Sequence, residues 1–318
     1  KRLLSYAAAS AAVCYGLYRA DAKQSETYAD YAAALWEGWQ LSSSDLLLVL
    51  VTGFWGCSYY LSDLALGEMP PFALCAVRFL LAFALLGIAL FPKLRHVNRK
   101  ALLWAVPAGL SLTLTYIGAT VGLLYTSISN AGFICSLPAV TTPLLAFLVY
   151  RKRPERRMLL CLVLCTVGLG LLTLGNDFRP APGDLICLLC ALGYGINLLV
   201  VEHAVHQPEV DALQLGVFQQ LVTGTAMLVL SLLFETPCLP QTPTGWGSVL
   251  FLSVFCTGIA FAITAVQQKH TSAVHVGLIF TLEPLFSVAP LSIGMVGAVV
   301  GLAFCSMLTI QLLKRFRR

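Results

Sequence analysis

Ten apolar runs, each of roughly twenty residues, leave this chain few ways to fold: 46–66, 71–91, 101–123, 126–149, 158–175, 184–202, 212–234, 246–267, 271–292 and 294–313. A bilayer core about 30 Å thick is crossed by about 20 residues of α-helix. In hydrocarbon every backbone N–H and C=O must find its partner within the protein, which admits helices or closed barrels. Barrel strands alternate apolar and polar residues over about ten positions, and these long uninterrupted runs do not. Of the chain, 58% is hydrophobic and 11% charged. The expectation is an all-α polytopic membrane protein with ten transmembrane helices.

Basic residues orient those spans. Lys93, Arg95, Arg99 and Lys100 follow span 2; Arg151, Lys152, Arg153, Arg156 and Arg157 follow span 4; Lys269 lies between spans 8 and 9; Lys314, Arg315, Arg317 and Arg318 follow span 10. The opposite side has only Arg179, fourteen against one. By the positive-inside rule those loops and the basic C-terminus are cytoplasmic, in a multi-pass protein of the cell (inner or plasma) membrane. The net charge of +5 thus follows the membrane and is no signal for nucleic acid. Spans 1–5 then begin inside and end outside, and spans 6–10 do the reverse. This is a 5+5 inverted repeat, divided as 45–175, an outer linker 176–183, and 184–318 with its tail. Residues 1–44 fit neither half and read as a surface helix, an extra span or a signal-like segment.

Two stretches echo each other across the halves. Residues 126–137, TSISNAGFICSL, align without gaps to 271–282, TSAVHVGLIFTL, with five of twelve positions identical. Pro138 and Pro143 follow in the first, Pro284 and Pro290 in the second. Proline removes a helix hydrogen bond and bends the helix unless neighbours compensate. Pro-interrupted apolar segments at matching places in two halves point to a secondary transporter's binding site. Gly193-Tyr-Gly-Ile-Asn197 of span 6 is the counterpart of the Gly-Trp-Gly region of span 1. Spans 9 and 10 join abruptly near Ser292-Ile293, with little chain for a reversal.

Ionisable groups inside hydrocarbon are costly and mark function by default. Arg78 is the only basic residue within a span, about 10 Å from the outer end of span 2, and Glu283 lies at similar depth in span 9. The two either pair with each other, locking two helices, or face one cavity, Arg78 toward an anionic group and Glu283 toward an ammonium or a proton. Trp55, Tyr59, Tyr116 and Tyr194 are candidates for an aromatic wall, with Asn130 and Asn197 as polar contacts; packing alone explains the aromatics about as well. His275 lines an inner vestibule or packs as a hydrogen-bonded core residue. Gly118-x-x-x-Gly122 reads as close helix packing. The cysteines lie mostly within spans, where Cys behaves as a small hydrophobe, and no metal site is expected.

Trp55-Gly56, Arg78-Phe79, the Thr-Ser-x4-Gly openings of spans 4 and 9, and Leu282-Glu283-Pro284 resemble the EamA branch of the drug/metabolite transporter superfamily, over about residues 45–313. The resemblance implies a ten-helix inverted-repeat carrier with a central cavity, often an exporter of amino acids or related small metabolites. Two features depart from the family pattern. The Gly-Glu usually found after the second Pro-bearing helix is absent, and the first such helix ends in Tyr150-Arg-Lys-Arg-Pro-Glu155. H-E-x-x-H, G-x-S-x-G, a nucleotide-binding loop and a dinucleotide glycine fingerprint are also absent, so neither an enzyme nor a cofactor is expected. The expected partners are a small-molecule substrate, the lipid bilayer and, for a coupled carrier, protons; a homodimer is left open. The alternatives are a membrane scaffold, a lipid-handling protein and a passive facilitator or channel, although no filter motif is visible.

Overall fold

Helix starts in this chain are written into its loops. The computed structural model describes residues 43–151, 181–280, 282, 283 and 286. Pro71, Pro138, Pro182 and Pro243 occupy first helical positions, where the missing N–H would have had no helical partner anyway. Elsewhere a polar side chain accepts a backbone N–H of the first turn: Asn98 from Ala101, Ser127 from Asn130, Asp211 from Gln214 and Thr242 from Gly245. Such caps satisfy donors that the helix itself cannot reach.

The helices of eight residues or more are α1 (Ser43–Leu66), α2 (Pro71–Ala89), α3 (Arg99–Leu123), α4 (Ile128–Cys135), α5 (Pro138–Tyr150), α6 (Pro182–Val205), α7 (Ala212–Phe234), α8 (Pro243–Phe251), α9 (Ala260–Gln268) and α10 (Ala273–Phe280), and a single turn, Phe91–Leu94, follows α2. A π-helical stretch, Leu252–Ile259, joins α8 to α9. Among the described residues there are no strands, and seven helical runs are long and apolar enough to cross a membrane, α4–α5 and α8–α9 counting as one each. The protein is an all-α polytopic membrane protein, as its apolar runs predict. Spans 5 and 10, most of the N-terminal segment, Pro284, Pro290 and the basic tail lie outside the described residues.

The prolines act where the sequence places them. Before Pro138 the chain tightens, with Ser136 N–H donating to Phe133 O at 3.2 Å and Leu137 N–H to Ile134 O at 3.1 Å. The second repeat makes the same contact: Leu282 N–H donates to Ile279 O at 3.1 Å. These are the matched leucines and isoleucines of the two stretches, in the same three-residue turn. The two stretches also meet, since Gly277 packs against the backbone of Pro138 and Ala139.

Helix α2 runs antiparallel to α7. At one end the Glu235 carboxylate accepts the Phe72 and Ala73 N–H groups, both at 2.9 Å. At the other, Gln214 Nε2 donates to the carbonyls of Lys93 (3.1 Å) and His96 (2.8 Å). α3 and α6 touch backbone to backbone through the predicted glycine pair: a Cβ on Gly118 would lie 2.3 Å from Cys190 N, and one on Gly122 3.2 Å from Cys187 N.

Glu68, in the loop after α1, ties that loop to the start of α8. Its carboxylate accepts the Thr242 hydroxyl and the N–H groups of Gln241 (3.0 Å) and Thr242 (3.1 Å). Hydrogen bonds from Thr242 and Gln241 hold its pKa below the usual carboxylate value. A depressed folded-state pKa gives stability that is present above the unfolded value, about 4.3, and lost as the pH falls through the folded value. Glu68→Gln is therefore expected to lower the melting temperature in detergent at pH 7, by a margin that shrinks once the pH drops below about 4. A margin unchanged with pH would mean that the carboxylate charge is not what holds this loop.

Candidate functional site

The π-helical stretch creates the site's anchor. A wide turn interrupts the regular ladder and leaves carbonyls free for other partners, and π-turns gather at functional places. The carbonyl of Cys256 takes Trp55 Nε1–H at 2.8 Å and an Arg78 Nη2–H at 3.3 Å. Arg78 Nε also donates to the Thr257 hydroxyl at 2.5 Å, and Nη2 to the Tyr116 hydroxyl at 3.2 Å. Its guanidinium carbon stands 5.0 Å from the centre of the Tyr116 ring, within cation–π range. Arg78 is thus fixed by neutral oxygens and a ring face. Among the described residues no carboxylate forms an ion pair with it.

Glu283 reaches the same space from the other repeat. α1 and the chain of span 9 lie in backbone contact at Gly56, where a Cβ would be 2.3 Å from Phe286 Cβ and 3.1 Å from Glu283 O. Only glycine allows that approach. Tyr59, one turn further along α1, lines the same cavity as the Glu283 carboxylate, and Glu283 is 7% exposed.

Between these groups lies a cavity of about 600 Å³, its mouth included, lined by Trp55, Ser58, Tyr59 and Ser62 of α1, Arg78 of α2, Thr115, Tyr116, Ala119, Thr120 and Leu123 of α3, and by Cys135, Cys190, Tyr194, Phe261 and Glu283. Aromatic rings form its floor. Trp55 meets Tyr194 edge-on at 5.4 Å, Phe261 at 5.4 Å and Phe280 at 4.7 Å between ring centres, in the tilted and edge-to-face arrangements that aromatic pairs favour. The Tyr194 hydroxyl is buried and has no hydrogen-bond partner among the described residues. An orphaned hydroxyl is costly, and this one lies on a cavity wall where a solute can supply the missing bond.

The structure therefore brings together six of the residues singled out from the sequence: Arg78, Glu283, Trp55, Tyr59, Tyr116 and Tyr194. Of the two arrangements open to Arg78 and Glu283, it shows them facing one cavity, without an ion pair. Three others lie elsewhere. Asn197 is buried between helices, with Nδ2 donating to Ala108 O at 2.9 Å and lying 3.3 Å from both Ser111 Oγ and Gln219 Oε1. Asn130 Nδ2 reaches Asp184 Oδ1 at 3.5 Å. His275 Nε2 lies 2.8 Å from Asp45 Oδ1, both side chains buried. Ser58, Ser62, Thr115 and Thr120 were missed as lining residues, because small hydroxyl residues occur on every face of membrane helices. The helix spacing of Ser58 and Ser62 relative to Trp55 and Tyr59 would have found them.

Among the described residues no cluster of His, Cys, Asp or Glu could hold a metal ion. The arrangement has the form of a binding chamber: a fixed cation and a carboxylate on opposite repeats, an apolar aromatic floor and an unpaired hydroxyl.

Membrane-spanning helices around a chamber lined from both halves of the chain suit a membrane transporter. The EamA-like transporter family matches residues 42–174 and again 181–304, and the chain belongs to that family. It is 30% identical over 254 residues to an "Uncharacterized transporter" of Archaeoglobus fulgidus, covering 79% of this chain and 78% of that one. It is 25% identical over 221 residues to "Uncharacterized transporter YetK" of Bacillus subtilis, covering 65% of this chain and 66% of that one. A solved crystal structure superposes with a TM-score of 0.64 at 21% identity, over 88% of this chain and all of the other, so the two share a fold.

Proposed function

We infer that the protein is a secondary transporter of small amphoteric organic solutes, amino acids or close relatives, working by alternating access between its two halves. One observation carries this reading: Arg78 and Glu283 face the same cavity without pairing. A buried cation with no counter-charge is expensive unless something supplies one. A solute carboxylate does so by accepting a charge-assisted hydrogen bond from Nη1, the one Arg78 nitrogen that holds no partner among the described residues, while its ammonium group lies toward Glu283. Between substrates, Glu283 can carry a proton instead, which would couple transport to a proton gradient. The basic loops support a cytoplasmic C-terminus in the plasma membrane, and the tail-to-head contacts of α2 with α7 support an inverted repeat. Export is the direction the family resemblance favours.

The test is uptake of labelled amino acids and nucleobases into proteoliposomes, with and without a pH gradient. Gradient-stimulated, saturable flux of an amino acid is expected, with the stimulation lost in Glu283→Gln. Flux indifferent to the gradient would remove the proton from the account and leave a facilitator or exchanger.

A further inference from the structure

The duplication gives each end of the molecule its own carboxylate. Asp45 lies eleven residues before Gly56 on α1, and Asp184 lies eleven before Gly195 on α6. The partners correspond as well. Asn130 is the fourth residue after Thr126, and His275 the fourth after Thr271, in the two repeated stretches. The structure joins these residues in matching pairs. At one end the Asp45 carboxylate lies 2.8 Å from His275 Nε2, with 2% and 4% of the two residues exposed. At the other, Asp184 Oδ1 accepts the Thr126 hydroxyl at 2.5 Å, with Asn130 Nδ2 at 3.5 Å. In each case the first helix of one repeat is fastened to the proline-interrupted helix of the other end's pair: α1 to α10, and α6 to α4.

Both fastenings flank the cavity. Trp55 and Tyr194, which line it, each lie ten residues along the same helix from Asp45 and Asp184, about 15 Å away at 1.5 Å per residue. α1 and α6 run in opposite directions in an inverted repeat, so the two carboxylates stand on opposite sides of the chamber.

We propose that Asp45–His275 and Asp184–Thr126/Asn130 are the two closures of the transport cycle, two-fold-related latches that open one at a time. The inference rests on the alternating-access reading above. Releasing the Asp45 latch lets α10 swing from α1 and opens the chamber to that side; releasing the Asp184 latch lets α4 part from α6 and opens the other. The chemistry is conserved in plan and differs in one partner, an imidazole at one end and an amide with a hydroxyl at the other.

Two native cysteines, Cys135 and Cys190, line the cavity and are free thiols, so they report access directly. Vesicles of both orientations would be treated with a charged, impermeant methanethiosulfonate and the two cysteines quantified by peptide mass spectrometry. In His275→Leu, labelling is expected to rise about tenfold from the Asp45 side alone, within the span of conformational couplings. In the double variant Thr126→Val/Asn130→Leu, which leaves Asp184 capping its own helix, it should rise from the Asp184 side alone. His275→Asn installs the amide used at the other end and should keep the wild-type pattern. Labelling that rises equally from both sides, rises from neither, or is the same in His275→Asn as in His275→Leu overturns the latches. No solute is needed, so the result separates from the flux assay: sided labelling without flux sinks the carrier, and flux without sided labelling sinks the latches.

Discussion

Arg78→Met is expected to reduce flux of any solute that carries a carboxylate by at least about thirtyfold, because removing one partner of a buried charge contact costs about 2–5 kcal/mol. Arg78 makes no ion pair among the described residues, so the loss should fall on binding more than on folding. The carbonyl of Cys256 keeps its bond from Trp55 when the guanidinium is gone, and only the Thr257 and Tyr116 hydroxyls lose a donor. Arg78→Lys should fall between. Lysine keeps the charge and loses the planar fork that spans Thr257, Tyr116 and the Cys256 carbonyl. Proteoliposome flux against thermal melting of the same preparations reads both effects. Full flux in a well-folded Arg78→Met protein would remove Arg78 from substrate binding.

The second large effect concerns packing. Gly118→Leu is expected to prevent recovery of a folded, monodisperse protein. Even Gly118→Ala should cost about 1–3 kcal/mol, the range for overpacking a close-packed site. The reason is local: a Cβ there would sit 2.3 Å from the backbone nitrogen of Cys190, an atom that cannot swing aside. Gly87 on α2 supplies the control, since nothing lies within 4 Å of a Cβ built on it. Gly87→Ala should leave stability level or slightly raised, as alanine is the better helix former. Melting curves in detergent decide between them. Equal melting temperatures for the two alanine variants would show that α3 and α6 do not depend on backbone contact at Gly118.

Much of this architecture is legible in the residue order. The seventh span, 212–234, coincides with α7 because Asp211 caps it and Glu235 ends it. Spans 1, 3, 6 and 8 begin two or three residues earlier than hydropathy suggests, since Pro182, Asn98 and Thr242 start helices in polar chain that a hydropathy window discounts. The interruption before Pro138 and the glycine contact of Gly118 and Gly122 both follow from single residues with strong backbone preferences. The π-helical Leu252–Ile259 could not be read. Nothing in LSVFCTGI differs from an ordinary membrane helix, and no residue in it marks the Cys256 carbonyl as the one that Trp55 and Arg78 will share.

Of the residues singled out from the sequence, the charged pair and the aromatics line the cavity, while the two amides and the imidazole lie elsewhere. Arg78 and Glu283 stand out because hydrocarbon makes them expensive. Asn197 looks the same as a substrate ligand in sequence, yet its amide is used between helices, on Ala108 O, Ser111 and Gln219. Membrane helices bind one another through such groups, so an isolated Asn has two uses that only geometry separates. His275 and Asn130 show a third: both reach a carboxylate at the start of another helix. The matching of Asp45 with Asp184 could have been found by extending the alignment of the Gly-Trp-Gly and Gly-Tyr-Gly regions backward by eleven residues.

The most direct test of the central claim is solute exchange in proteoliposomes holding wild-type protein. A panel of labelled amino acids would compete against the same compounds with the carboxylate esterified or the amine acetylated. A carrier that grips both ends of a zwitterion between Arg78 and Glu283 predicts saturable exchange by at least one free amino acid, abolished by either modification. Exchange that tolerates both modifications, or no saturable exchange anywhere in the panel, would contradict it.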